Sequence, residues 1–181
     1  MSYVFRKFQS ETDVKKPFDC GNADLNGFLR EKGSIEPNAT NYGQEHLSVT
    51  YIVEDESSGE ILAYFSLLND KIERDVADSA TWNRLSRLVP NDKRRSSYPA
   101  LKIGRLAVSN SYQGSGLGRD IISFVQGWFY SNPRAGCRFL TVDALREAES
   151  FYTKCDFSRL VSPNPEDKTV LMFFDLKSIR A

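Results

Sequence analysis

The segment Leu106-Ala107-Val108-Ser109-Asn110-Ser111-Tyr112-Gln113-Gly114-Ser115-Gly116-Leu117-Gly118-Arg119 constrains the fold more than any other. A β-prone run passes through a short polar loop into three glycines within five residues. An amphipathic stretch follows, with Ile121, Ile122, Val125, Trp128 and Phe129 on one helical face. Glycines admit positive φ and let backbone approach a ligand closely. A helix that starts there presents unpaired N–H groups and a positive dipole end, which suits a phosphate. The plain alternative is a tight strand-to-helix turn with no ligand. A Walker A loop is excluded because no Lys-Ser or Lys-Thr follows Gly118, and the G-x-G-x-G spacing departs from the dinucleotide fingerprint G-x-G-x-x-G.

The rest of the chain supplies a sheet for this unit. Tyr3–Phe8 reads as a first strand. Leu25, Phe28 and Leu29 share a helical face, with Asn22 or Asp24 as N-cap. Residues 33–43 read as loop. Ser48–Glu54 and Glu60–Asn69, joined by Asp55-Glu56-Ser57-Ser58-Gly59, predict an antiparallel hairpin. Residues 71–98 are polar and read as a surface insertion, with one short helix marked by Trp82, Leu85 and Leu88. Strands are expected at Ala100–Ser109, Cys137–Ala144, Phe157–Val161 and Thr169–Leu176, helices at Leu117–Tyr130 and along the stripe Leu145, Ala148, Tyr152, Cys155. The order predicts one α/β (α+β) domain over residues 1–181, with a mixed, mostly antiparallel sheet and helices on its faces.

Composition narrows the function classes. Lys+Arg and Asp+Glu both total 24, so the formal net charge is zero, without the basic excess of a dedicated nucleic-acid binder. Forty percent apolar residues fill a hydrophobic core. No apolar run approaches the roughly 20 residues that span a bilayer, and the first residues show no apolar signal segment. Cys20, Cys137 and Cys155 are odd in number and lack CxxC spacing, which predicts neither disulfides nor a metal site. A cytoplasmic, reduced protein is expected.

Gln113-Gly114-Ser115-Gly116-Leu117-Gly118 resembles the Q/R-x-x-G-x-G/A loop of the GCN5-related N-acetyltransferases (GNAT), and Tyr152 to Phe157 resembles their closing Y-x-x-x-G-F, with Asp156 at the glycine position. A narrower likeness runs through Phe18-x-Cys20-Gly21, Leu25-Asn26-x-Phe28-Leu29, Gly104-Arg105-Leu106-Ala107-Val108, Val142-Asp143-Ala144-Leu145 and Phe151-Tyr152. These motifs resemble the toxin-type acetyltransferases of toxin–antitoxin systems, which acetylate the amino acid on charged tRNA. The neutral charge departs from the basic character usual in those toxins.

The resemblance implies a splayed cleft for acetyl-CoA. The pantetheine arm would pair with backbone of Leu106, Ala107 and Val108. Gln113, Gly114, Ser115, Gly116, Leu117, Gly118 and Arg119 would form the pyrophosphate loop, and no metal is implied. Tyr152 is the expected general acid for the departing thiolate; the other reading is a core tyrosine, and one residue can be both. Arg105 is expected to place the acceptor, or else to pair with a cross-strand carboxylate. For a base the sequence offers His46, Asp143 and Glu147, with Asp143 alternatively a helix cap. Lys93-Arg94-Arg95 reads as solvated surface or a phosphate contact. The acceptor implied is the α-amine of aminoacyl-tRNA; the alternatives are a small-molecule or protein amine, or a non-catalytic acyl-CoA-binding module. A small antitoxin protein is the implied partner, and the apolar Val170–Phe174 run suggests edge pairing in a homodimer.

Overall fold

The computed structural model describes residues 2–30, 38–90, 96–132, 135–162 and 164–179. The strands are β1 (Tyr3–Lys7), β2 (Val49–Asp55), β3 (Ile61–Glu73), β4 (Ser97–Val108), β5 (Phe139–Leu145), β6 (Ser158–Arg159) and β7 (Thr169–Asp175). The helices are α1 (Ala23–Arg30), α2 (Ala39–Gln44), α3 (Ser79–Arg87), α4 (Leu117–Ser131) and α5 (Glu149–Thr153). The strands form a mixed seven-stranded sheet in the order β1-β2-β3-β4-β5-β7-β6. The chain divides into two compact units, Met1–Leu68 with Ile103–Ile121, and Asn69–Lys102 with Ile122–Ala181.

In the first unit, β1 and β3 flank β2 in antiparallel register, with Phe5 opposite Val53 and Ile52 opposite Tyr64. The expected hairpin is present. The Asp55 carboxylate accepts the N–H groups of Ser57 (2.9 Å) and Ser58 (2.8 Å), and Gly59 takes φ +69° to return the chain. These bonds, with the Ser57 hydroxyl foremost, hold the Asp55 pKa down to about 2. Asn22 caps α1 by accepting the Leu25 N–H at 3.1 Å. Phe28 and Leu29 from α1 join Phe18, Ile52, Ile61 and Tyr64 in one core, as the helical spacing predicts. The expected loop over 33–43 contains α2 instead, because Asn38 caps it by accepting the Asn41 N–H at 2.9 Å and Ala39 packs into the core. That local capping outweighs the poor helix propensity of its Asn and Gly residues.

In the second unit, β5 pairs antiparallel with β7 along its length, Thr141 opposite Phe173 and Asp143 opposite Leu171. Arg138 clamps that pair with a two-pronged bond to Asp175 at 2.7 and 2.8 Å. The segment read as an insertion holds the outer part of β3, helix α3 and the start of β4. Trp82 and Leu85 are buried and Trp82 stacks on Tyr98 at 4.9 Å, whereas Leu88 is exposed. The segment therefore contributes core, with Ile72, Phe139 and Phe173 as its neighbours in the cluster. The basic run Lys93-Arg94-Arg95 lies outside the described residues. Val170–Phe174 is not an edge: β7 lies between β5 and β6, although β6 covers only Met172 and Phe173. The helical stripe from Leu145 is also corrected. Leu145 ends β5 opposite Thr169, Arg146–Ala148 form a 3-10 turn, and only then does α5 begin.

The closing turn keeps its shape without glycine. Asp156 adopts φ +65°, and the Phe157 N–H returns to the Tyr152 carbonyl at 3.0 Å. A left-handed residue other than glycine carries a backbone penalty, smallest for Asn and Asp. Asp156→Gly is therefore expected to stabilise the protein by up to about 1 kcal/mol, part of the gain being offset by the added freedom of the unfolded chain. Urea denaturation checks this; a loss of stability would show that the Asp156 side chain contributes a contact of its own.

Candidate active site

The first unit carries the glycine-rich loop at the head of α4. Gly114 and Gly116 take φ of +75° and +97°, and a Cβ at either would meet nothing within 4 Å. The loop is therefore open on the side a ligand would approach. Ser115 donates its hydroxyl to the Tyr112 carbonyl at 2.6 Å and accepts the Leu117 N–H at 3.4 Å, while the Leu117 side chain is buried and anchors the helix start. Among the described residues, the N–H groups of Gly114, Gly116 and Gly118 find no hydrogen-bond acceptor. Three free donors at the positive end of a 15-residue helix form a cradle whose chemistry suits an anion such as a pyrophosphate. Arg119, in the first helical turn, is exposed and unpaired among the described residues, so its charge is free to meet a phosphate.

Gln113 does not point into this cradle. Its amide donates to the Cys20 carbonyl (2.9 Å), the Val108 carbonyl (3.0 Å) and Asn110 Oδ1 (3.1 Å). Of the residues expected to pair with pantetheine, Ala107 is buried, and Leu106 and Val108 are half-buried on β4. Arg105 precedes them. Its guanidinium lies 4.0 Å from the centre of the Phe28 ring, and Asp24 Oδ2 is 3.9 Å from Nη2. Both neighbours come from α1, so the cross-strand carboxylate of the alternative reading is absent. Arg105 Nε is sealed from solvent with no hydrogen-bond partner among the described residues. The spacing of Leu25, Phe28 and Leu29 placed Phe28 in the core but gave no sign that it would carry Arg105.

The second unit carries Tyr152. Only 6% of it is exposed, and its ring meets Phe151 at 5.0 Å and Phe157 at 5.5 Å, both edge to face. No hydrogen bond reaches its hydroxyl among the described residues. Burial raises its pKa above the usual phenol value, so the proton stays on. The core and catalytic readings of this residue are compatible: the ring packs, and the hydroxyl is left without a partner among the described residues.

The candidate bases fare differently. His46 is exposed in the turn after α2, at φ +56°. Glu147 is exposed in the 3-10 turn before α5. Asp143 sits within β5 and forms an ion pair with Lys102 at 2.5 Å, so it caps no helix. No group of His, Cys, Asp and Glu among the described residues could hold a metal. Cys155 is buried as expected, while Cys137 is only partly so.

Residues 91–174 match the family model described as acetyltransferase (GNAT) domain. Those residues are similar to a GNAT acetyltransferase domain, and that likeness supports acetyl-CoA-dependent N-acetyl transfer. Streptothricin acetyltransferase of Escherichia coli is 24% identical over 145 residues, covering 80% of this chain and 69% of that enzyme. The fold is similar to a tyrosine-to-phenylalanine mutant of KacT, with a TM-score of 0.78, 24% identity, and 98% and 97% of the two chains covered. It is also similar to AtaT in complex with acetyl-methionyl-tRNAfMet, with a TM-score of 0.75, 24% identity, and 98% and 96% covered. A third similar structure is an AtaT mutant bound to acetyl-CoA and the C-terminus of the antitoxin AtaR, with a TM-score of 0.71, 24% identity, and 97% and 94% covered. No described helix is long and apolar enough to cross a membrane.

Proposed function

We propose that this GNAT domain spans residues 1–181 and acetylates the α-amine of an amino acid carried on tRNA. The observation that carries the acceptor choice is that none of the three candidate bases is both enclosed and unpaired among the described residues: Asp143 is paired to Lys102, and His46 and Glu147 are exposed. A lysine ε-amine, with reference pKa about 10.4, needs such a base at neutral pH, whereas an α-amine near 7.7–8.0 is already partly free. Similarity in fold to AtaT, solved with acetyl-methionyl-tRNAfMet, supports the same acceptor class.

In this reading Gly114, Gly116, Gly118 and Arg119 hold the donor's pyrophosphate, and backbone of Leu106, Ala107 and Val108 holds its pantetheine arm. The free amine attacks the thioester carbonyl carbon, and the carbon–sulfur bond breaks as the amide forms. Tyr152 gives its proton to the departing thiolate, the surplus proton on the new amide nitrogen leaves to water, and water returns a proton to Tyr152 before the next turnover. Arg105, stacked on Phe28, donates to an acceptor carbonyl or phosphate oxygen. A small antitoxin is the proposed partner, as AtaR is for AtaT.

A panel of amines tests the acceptor class. Aminoacyl-tRNA and amino-acid esters should be acetylated and free lysine ε-amines should not; efficient ε-amine transfer with none to α-amines would overturn the proposal. Arg105→Lys should raise the KM for the acceptor roughly 5- to 10-fold, since a lysine keeps the charge but loses the planar fork and the ring stacking. Steady-state kinetics with acetyl-CoA saturating checks this; an unchanged acceptor KM would remove Arg105 from the acceptor site.

A further inference from the structure

The mechanism above leaves Gln113 and the turn around Cys20 without a task, yet they form a dense polar cluster in the first unit. The Gln113 amide has two N–H groups and three acceptors, one of them the Cys20 carbonyl, 93 positions away in sequence. The Asn110 N–H donates to the Asp19 carbonyl at 2.9 Å, which ties the same two segments a second time. Gly21 takes φ +80°, which a side chain would strain, and a Cβ there would press on Asn110 Oδ1 at 3.1 Å, so the two turns approach closely. Within the first turn, Asp19 Oδ1 accepts the Gly21 N–H (2.9 Å) and Asn26 Nδ2 (2.7 Å), and Asn26 Oδ1 accepts the Cys20 N–H (2.9 Å). Those bonds to Gly21 and Asn26 hold the Asp19 carboxyl below its usual range, which keeps it a charged acceptor.

The two ends of this cluster reach different parts of the site. At one end Gln113 immediately precedes the glycines of the phosphate cradle. At the other, Asn26 lies on α1, which carries Phe28 against Arg105. We infer that Gln113 and Asn26 are positioning residues of one brace, Asp19–Asn26, that fixes the pyrophosphate loop and the Arg105 stack together, so that donor and acceptor binding are coupled. This rests on the proposed roles of the loop and of Arg105. Two sites held by one rigid segment share a coupling free energy, and that coupling is reciprocal.

The test uses the full-length protein with Gln113→Ala and Asn26→Ala, titrated with acetyl-CoA by calorimetry and assayed for the acceptor KM. Each variant is expected to weaken acetyl-CoA binding roughly 5- to 10-fold and to raise the acceptor KM together with it, within the usual range of coupling between sites. Acetyl-pantetheine, which lacks the pyrophosphate, should bind Gln113→Ala as tightly as wild type; that arm separates a braced loop from general loosening. Gln113→Glu, which keeps the shape but sets a carboxylate against two carbonyls, should bind acetyl-CoA no better than Gln113→Ala. Asn26→Ala that leaves acetyl-CoA affinity unchanged, or equal losses for acetyl-CoA and acetyl-pantetheine, would overturn the brace while leaving the functional reading in place. Wild-type protein that binds acetyl-pantetheine as tightly as acetyl-CoA would remove the loop's assigned role, and the brace with it.

Discussion

Tyr152→Phe is expected to lower kcat by about 10²–10³-fold while KM for both substrates stays within about twofold. Among the described residues the hydroxyl has no hydrogen-bond partner to lose, and the ring's edge-to-face packing on Phe151 and Phe157 survives the change. Thermal unfolding should therefore shift little, which separates a lost proton donor from a damaged core. The pH profile carries the same signature. Burial raises the folded-state pKa of Tyr152 above its unfolded value near 10, so its stabilising contribution is complete below pH 10 and is lost as pH rises beyond it. The acid therefore stays protonated across the assay range. The rate should climb between about pH 7 and 9 as the acceptor α-amine loses its proton, without a falling limb below about pH 10. A falling limb near neutrality, or unchanged kcat in the phenylalanine variant, would assign the proton to another group.

Gly116→Ala is expected to weaken acetyl-CoA binding by about 5- to 30-fold with little effect on Tm. The methyl meets nothing in the protein within 4 Å, so no packing is disturbed. Its cost is the left-handed backbone at φ +97°, on the order of 1–2 kcal/mol, which the chain escapes by turning its N–H groups out of the cradle. Each 1.4 kcal/mol is a tenfold change in affinity. Ala at Gly43, where φ is ordinary and no atom lies near, serves as the control and should leave binding unchanged. Equal affinity in Gly116→Ala and wild type would mean that the loop's free N–H groups do not hold the donor.

The parts of the fold that were legible in the sequence are those with strong local chemistry. Asp55 through Gly59 specify the hairpin turn, and Asn22 with Leu25, Phe28 and Leu29 specifies α1. The parts that were missed depend on what the segment meets. Helix α2 follows a buried Asn38 cap inside a stretch rich in loop formers; helix α3 was expected, but its segment reads as surface because only Trp82 and Leu85 of the helix reach the core. Leu145 fits a helical stripe by spacing, but its pairing with Thr169 decides in favour of the strand. The same division holds for the site. Gly114, Gly116, Gly118 and Tyr152 are readable as a motif because the work proposed for them needs only backbone freedom and one phenol. Arg105 was readable as a position, but its Phe28 platform and the inward turn of Gln113 arise from pairing over long sequence separations. Asp156 shows the converse, a departure from the motif that the backbone absorbs by adopting the left-handed conformation unaided.

The most direct measurement of the central claim is transfer of labelled acetyl groups from acetyl-CoA to bulk aminoacyl-tRNA, with wild type and Tyr152→Phe run side by side. The account predicts label on the aminoacyl group with wild-type protein and about a hundredfold less with the variant. Label on free amines or proteins alone would contradict the tRNA acceptor, and equal labelling by both proteins would contradict the acid.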